Sequence, residues 1–307
     1  MNGVAYARSS EPLGYSFELF VLDQRQVALV EREYESLAEH FDLFAPRAAW
    51  KRVIRTFIGF CSAENPSDGA LETLTHFLYL TLFFNEARSR ELPLELALEY
   101  RAVLGGAAPA SEHPVIRCAQ AFRPRLERLL RDSGADASAF FHYVDLNLSA
   151  FVRDARRKPA FVDDPDTFLA RRLHTISALG YFEFWKLLLS VSPRAELFFA
   201  SDIFRCQLLS AKIQGLANDL CSLARDARDG SPNLILLLAH HRKLSTDAAE
   251  MLVRNWHDQA VSEYVEATNA LLALEPEPPV RRYVEFIRSC TRGNLESMRA
   301  LTSRYDC

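Results

Sequence analysis

Apolar residues recur at i, i+3, i+4 and i+7 over stretches too long to be strands, and no other feature limits the possible folds as much. The pattern runs through 71–92 (LETLTHFLYLTLFFNEARSREL), 168–190 (FLARRLHTISALGYFEFWKLLLS), 203–228 (IFRCQLLSAKIQGLANDLCSLARDAR) and 246–273 (TDAAEMLVRNWHDQAVSEYVEATNALLA). Period and length together predict helices. Turn-forming clusters stand between them, at 64–69 (ENPSDG), 105–113 (GGAAPASEH), 163–166 (DDPD), 229–233 (DGSPN) and 275–279 (EPEPP). We expect an all-α, single-domain bundle of about ten helices with no strand. Residues 1–307 form one domain in this reading, because no linker is long or polar enough to divide them and no repeat shows. Residues 1–15 are expected to be flexible.

Composition narrows the function. A net charge of −4 and a pI near 6.1 argue against nucleic-acid binding, which requires a basic excess. No apolar run approaches the ~20 residues of a membrane span. The N-terminus lacks the apolar core of a signal peptide, so the expected location is cytoplasmic. The six cysteines form no CxxC pair and no Cys/His cluster with zinc spacing, and read as reduced thiols.

Helices 71–92 and 203–228 are apolar on most faces, which places them inside a bundle. Polar groups there are costly unless satisfied, so chemistry is sought at those positions. The densest group is Asn218-Asp219-Leu220-Cys221-Ser222-Leu223-Ala224-Arg225-Asp226. Asn218, Ser222 and Asp226, at i, i+4 and i+8, form one slowly drifting stripe. All three offer oxygen ligands, one of them anionic, which suits Mg²⁺. Arg225 beside them can reach an anionic ligand. Taken alone, the stripe also fits a solvated helix face.

This nonapeptide resembles the second metal motif, NDxxSxxxE, of class I terpene synthases. The continuation also fits: a Gly-containing turn, an Asn-Leu pair, an apolar helix, a polar turn and a helix rich in Ala and Glu. Asp226 stands where the family usually has Glu, one methylene longer. Two more marks lie at family spacings. Arg172 resembles the diphosphate-sensing arginine, and Arg304-Tyr305 resembles the C-terminal pair that binds diphosphate on closure. Each alone has an ordinary reading, as a solvated charge face or a common dipeptide. The first metal motif is degenerate. Where the family carries paired aspartates, this chain has Asn85-Glu86. Ser89 and Arg90 fall where the later acid would stand, Glu91 comes one residue late, and Arg88 and Arg90 add positive charge. Asp163-Asp164-Pro165-Asp166 imitates the missing motif, but Pro165 rules out a helix interior and the segment reads as an N-cap.

The resemblance implies Mg²⁺-dependent ionisation and cyclisation of a prenyl diphosphate, farnesyl favoured over geranylgeranyl. Asn218, Ser222, Asp226, Glu86 and Asn85 would hold a three-metal cluster. Arg172, Arg225, Arg304 and Tyr305 would bind diphosphate. The family breaks the helix after the sensor; Thr175 stands at the linker and Ile176 at the trigger position, with Ser177 and Gly180 permitting the break. Of the aromatics on nearby helices, Phe57, Phe83 and Phe182 are expected to line the cavity. Helices 77–91 and 211–228 should face each other across it, with both metal groups at one mouth. The last helix lacks the Trp often found there. A homodimer is allowed. The alternative is a degenerate member that binds a prenyl diphosphate or a protein partner without ionising it; an acyclic terpene synthase or prenyl transferase is the least favoured reading, since prenyl transferases lack this second motif.

Overall fold

The computed structural model describes residues 15–87, 93–134, 137–156 and 164–301. Among them are fourteen helices and no strand. These are α1 Gln24–Phe41, α2 Arg47–Phe60, α3 Asp68–Ala87, α4 Leu94–Leu104, α5 Pro114–Ser133, α6 Ser138–Arg156, α7 Pro165–Thr175, α8 Ala178–Leu188, α9 Pro193–Phe198, α10 Ala200–Cys221, α11 Leu223–Asp229, α12 Leu234–Arg242, α13 Thr246–Ala273 and α14 Pro278–Ala300. The all-α expectation holds. Two of the additional segments arise because periodic stretches break. The stretch 168–190 divides at Ser177, whose backbone is left-handed (φ 62°, ψ 7°), and 203–228 divides at Ser222. Except for Tyr15, the segment expected to be flexible lies outside the described residues.

Helix ends follow the local chemistry. Asp23 closes a capping box with Gln26 on α1. Asp164 accepts from the Asp166 and Thr167 N–H groups, with Pro165 in the first turn of α7, so this acidic run is an N-cap. Gly230, at φ 65°, ends α11. Three residues later Asn233 caps α12.

The centre of the bundle is α10, which packs against α13, α14, α8 and α7, while α1 packs on α2 and α3. α8 is buried from Ala178 to Leu187. Fully buried Phe182, Phe184 and Trp185 on this helix each stabilise by roughly 1.5–3 kcal/mol. Polar groups inside these helices are mostly structural, which narrows where chemistry can sit. Lys186 pairs with Glu183 at 2.6 Å. Gln207 donates to Glu183 and to the Tyr283 hydroxyl, both at 2.7 Å. Ser210 and Thr291 share a 2.6 Å bond between α10 and α14.

Cys61, Cys118, Cys206 and Cys290 are buried free thiols. Cys221 is disulfide-bonded, a correction to the all-thiol expectation. No helix among the described residues is long and apolar enough to cross a membrane.

α14 crosses α2 so closely at Gly293 that a Cβ there would stand 1.8 Å from the Phe60 carbonyl oxygen. Backbone cannot yield as a side-chain tip can. Gly293→Ala should therefore destabilise by about 3 kcal/mol, the upper end of overpacking costs, seen as a lower urea midpoint. An unchanged midpoint would show that the two helices separate freely.

Candidate active site

The polar stripe survives the break in the helix. The Ser222 N–H bonds to the Asn218 carbonyl at 2.9 Å, and the Asp226 N–H bonds to the Ser222 carbonyl at 2.8 Å. Asn218, Ser222 and Asp226 therefore stack on successive turns although the last belongs to α11. The Ser222 hydroxyl donates a short hydrogen bond to Asp226 Oδ2. Arg225 donates to Asp226 Oδ1 from Nε at 3.0 Å and Nη2 at 2.8 Å. Ser222 and Asp226 are buried.

Arg172 reaches this stripe from the last turn of α7. It passes α10 at Gly215, where a Cβ would meet Arg172 Cγ at 3.3 Å. Nη2 donates to Asn218 Oδ1 at 2.5 Å and lies 2.7 Å from Asp219 Oδ1. Nε is buried and has no hydrogen-bond partner among the described residues. Asp219 is fully buried. Burial holds its carboxyl above the ordinary range, and the neighbouring Arg172 offsets only part of that rise. The sequence reading gave Asp219 no role. Its signal was position: one residue after Asn218 it turns about 100° away from the stripe, toward whatever packs behind α10.

A cavity of about 110 Å³ adjoins Asn218. Its walls are Trp50, Val53 and Phe57 of α2, Phe77, Leu78, Thr81, Leu82 and Asn85 of α3, Ile176 to Ala178 at the α7–α8 break, Tyr181, Gln214, and Asn294, Ser297 and Met298 of α14. Asn85 and Asn218 thus line the same cavity, from two helices. The Ser177 hydroxyl and Asn294 Oδ1 are buried there without hydrogen-bond partners among the described residues.

Other expected residues fall elsewhere. Phe57 lines this cavity, but Phe83 and Phe182 do not. Phe83 and Glu86 line a separate, more open groove of about 760 Å³ with Asp42, Glu95 and Glu99. Phe182 packs in the core against Phe286, ring centroids 6.1 Å apart. The reason is helical phase. The cavity face of α3 is 77, 78, 81, 82 and 85, and Phe83 lies about 200° from Thr81. On α8 the cavity face is Ala178 and Tyr181, and Phe182 turns one step past it. Trp50 and Tyr181 were missed, although the 50, 53, 57 spacing on α2 would have found Trp50. Thr175 is buried beside Arg172, and Ile176 reaches the cavity. Arg88, Ser89, Arg90, Glu91, Arg304 and Tyr305 lie outside the described residues, as does Asp163.

The donor set suits a hard divalent cation: an amide oxygen, a hydroxyl and a carboxylate on successive turns, with no thiolate or imidazole among them. Arginines on both sides suit an anion held by that cation.

Residues 84–263 match the model of terpene synthase family 2, C-terminal metal binding. The chain is 24% identical over 277 residues to the germacrene A synthase of Nostoc punctiforme, covering 83% of each. Its fold is similar to that of 2-methylisoborneol synthase from Streptomyces coelicolor, solved with Mg²⁺ and 2-fluoroneryl diphosphate (TM-score 0.78, 17% identity, 95% and 96% of the two chains). It is also similar to linalool/nerolidol synthase from Streptomyces clavuligerus, solved with 2-fluorogeranyl diphosphate (TM-score 0.77, 21% identity, 96% and 100%).

Proposed function

The chain belongs to the terpene synthase family, and from that premise we propose that it ionises a prenyl diphosphate and cyclises the released carbon chain with the aid of Mg²⁺. The observation that carries this reading is the stack of Asn218, Ser222 and Asp226, met by Arg172 beside an apolar cavity. In this reading the whole chain is one catalytic domain.

Asn218 Oδ1, Ser222 Oγ and the Asp226 carboxylate would hold the cation, with Asn85 across the cavity. Mg²⁺ held there would supply Lewis acidity to the diphosphate leaving group. Arg172 and Arg225 donate to the departing oxygens, where negative charge develops. Arg304 and Tyr305 are proposed as further donors on closure, from sequence alone. Val53, Leu78, Leu82 and Met298 keep water from the carbocation, and the ring faces of Trp50, Phe57, Phe77 and Tyr181 attract it. Ile176 and Ser177 place the helix break against the chain to be folded.

Farnesyl diphosphate is the proposed substrate. The cavity is smaller than the ~300–1,000 Å³ of most ligand pockets, so a fifteen-carbon chain needs the walls to part. Met298, unbranched and adaptable, is the wall residue best able to move. The test is incubation with geranyl, farnesyl and geranylgeranyl diphosphates plus Mg²⁺, with products identified by mass spectrometry. A cyclic hydrocarbon from farnesyl diphosphate supports the reading. Binding with no cleavage of any of the three would replace it with the degenerate alternative, which one observation favours: Glu86, the carboxylate of the first motif, lines the neighbouring groove.

Asn85→Asp tests that first helix. It puts a carboxylate on the cavity face opposite Asn218. A stronger anionic contact of ~1 kcal/mol would lower the Mg²⁺ concentration for half-maximal turnover about fivefold. If the Mg²⁺ curve does not move, α3 takes no part in holding metal.

A further inference from the structure

Asn233 sits at the start of α12, outside the ligand set, and is wholly buried. All of its amide is used. Oδ1 accepts from the Ile235 N–H at 3.0 Å, which caps α12. Nδ2 donates to the Asp219 carbonyl at 2.8 Å and to Asp226 Oδ2 at 3.0 Å. One side chain therefore joins the last turn of α10, the middle of α11 and the start of α12.

The demand on this position is specific. It needs one acceptor for the cap and two donors for two different oxygens, at the reach of a short side chain. Among side chains of that length only Asn offers both; Asp has no donor when ionised, and Ser has one. The chain returns to this point through Gly230 at φ 65°, with the Ser231 N–H on the Asp226 carbonyl at 2.9 Å. Backbone and side chain of Asp226 are thus gripped by the same turn.

Asp226 is pulled two ways. Arg225 holds Oδ1, while Ser222 and Asn233 hold Oδ2. Without Asn233, Oδ2 keeps only the Ser222 hydroxyl against the two bonds from the arginine. The Asp side chain is short, so its aim has little slack.

We propose that Asn233 is a positioning residue for the metal site, holding the Asp226 carboxylate in line with Asn218 and Ser222 and against the pull of Arg225. This rests on the metal-dependent reading above. Asn233→Ser keeps a cap for α12 and removes the amide donors. In the full-length protein, Mn²⁺ uptake in the presence of inorganic diphosphate is followed by electron paramagnetic resonance, beside thermal unfolding and the Mg²⁺ activation curve. Loss of such a supporting hydrogen bond should weaken Mn²⁺ binding about 10- to 100-fold. The Mg²⁺ midpoint should rise in parallel, with KM at saturating Mg²⁺ little changed and cooperative unfolding retained. Asn233→Thr, whose methyl fills more of the void, provides the same readings should the Ser variant not fold. Wild-type Mn²⁺ uptake in a folded variant overturns the proposal and leaves Asn233 a helix cap. A wild-type protein that takes up no Mn²⁺ with diphosphate sinks the metal reading, and this proposal with it.

Discussion

Asp226→Asn and Asn218→Ala are each expected to reduce prenyl diphosphate turnover by about 10³-fold or more, a loss of ~4 kcal/mol of transition-state stabilisation. Asp226 is the one anion in the stack, and Asn218 is the one member that also lines the cavity. Asn is the better replacement at 226. At an open cavity mouth an Ala would leave the fold intact. In fact Asp226 is buried and receives hydrogen bonds from Ser222, Arg225 and Asn233. Ala would leave three donors without an acceptor, at about 1–3 kcal/mol for each that stays dry. Asn preserves shape and keeps one oxygen, so loss of activity can be separated from loss of fold. The readout is product formation across a Mg²⁺ series, with circular dichroism as the control. Wild-type product formation in either variant would exclude this stack as the metal site.

The second large effect is on stability. Asp219→Ala should cost about 3–5 kcal/mol, because it leaves the Arg172 guanidinium buried without its counter-ion. Arg172 is 6% exposed and Asp219 is 0% exposed, so water cannot take over. Urea unfolding measures the loss. A variant in which Arg172 and Asp219 are both Leu provides the contrast. It removes the charge together with its partner, so it should recover much of the stability while remaining inactive. If Asp219→Ala unfolds at the wild-type midpoint, the pair contributes nothing to the fold.

How far the sequence reached is clearest at particular residues. Helix positions were legible because apolar periodicity and turn residues are local, and Asp164, Gly230 and Asn233 end or begin helices by chemistry that needs no tertiary contact. The break at Ser177 was anticipated from the resemblance; nothing in the 3.6-residue period marks it. The polar stripe was legible because i, i+4, i+8 spacing is itself geometric. Phase around a helix was less so. Phe83 and Phe182 were assigned to the cavity by proximity in sequence, and a turn of 100–200° takes them elsewhere. The partners of Arg172 could not be read, since Asn218 and Asp219 meet it only through the packing of α7 on α10. Gln207 and Ser210 show the converse: polar residues of a central helix that serve the core and have no part in the site.

The hydrogen bond between Arg172 and Asn218 has a thermodynamic consequence. The amide oxygen that would hold the cation is occupied by the guanidinium that would receive the diphosphate. Either ligand arriving alone must break that bond for itself. Once one has done so, the second finds its partner already released. Under the proposed function the two binding events are therefore linked, and by reciprocity each raises the affinity for the other by the same factor. The resting protein would hold neither metal nor inorganic diphosphate tightly, and the pair far better than the sum of the two.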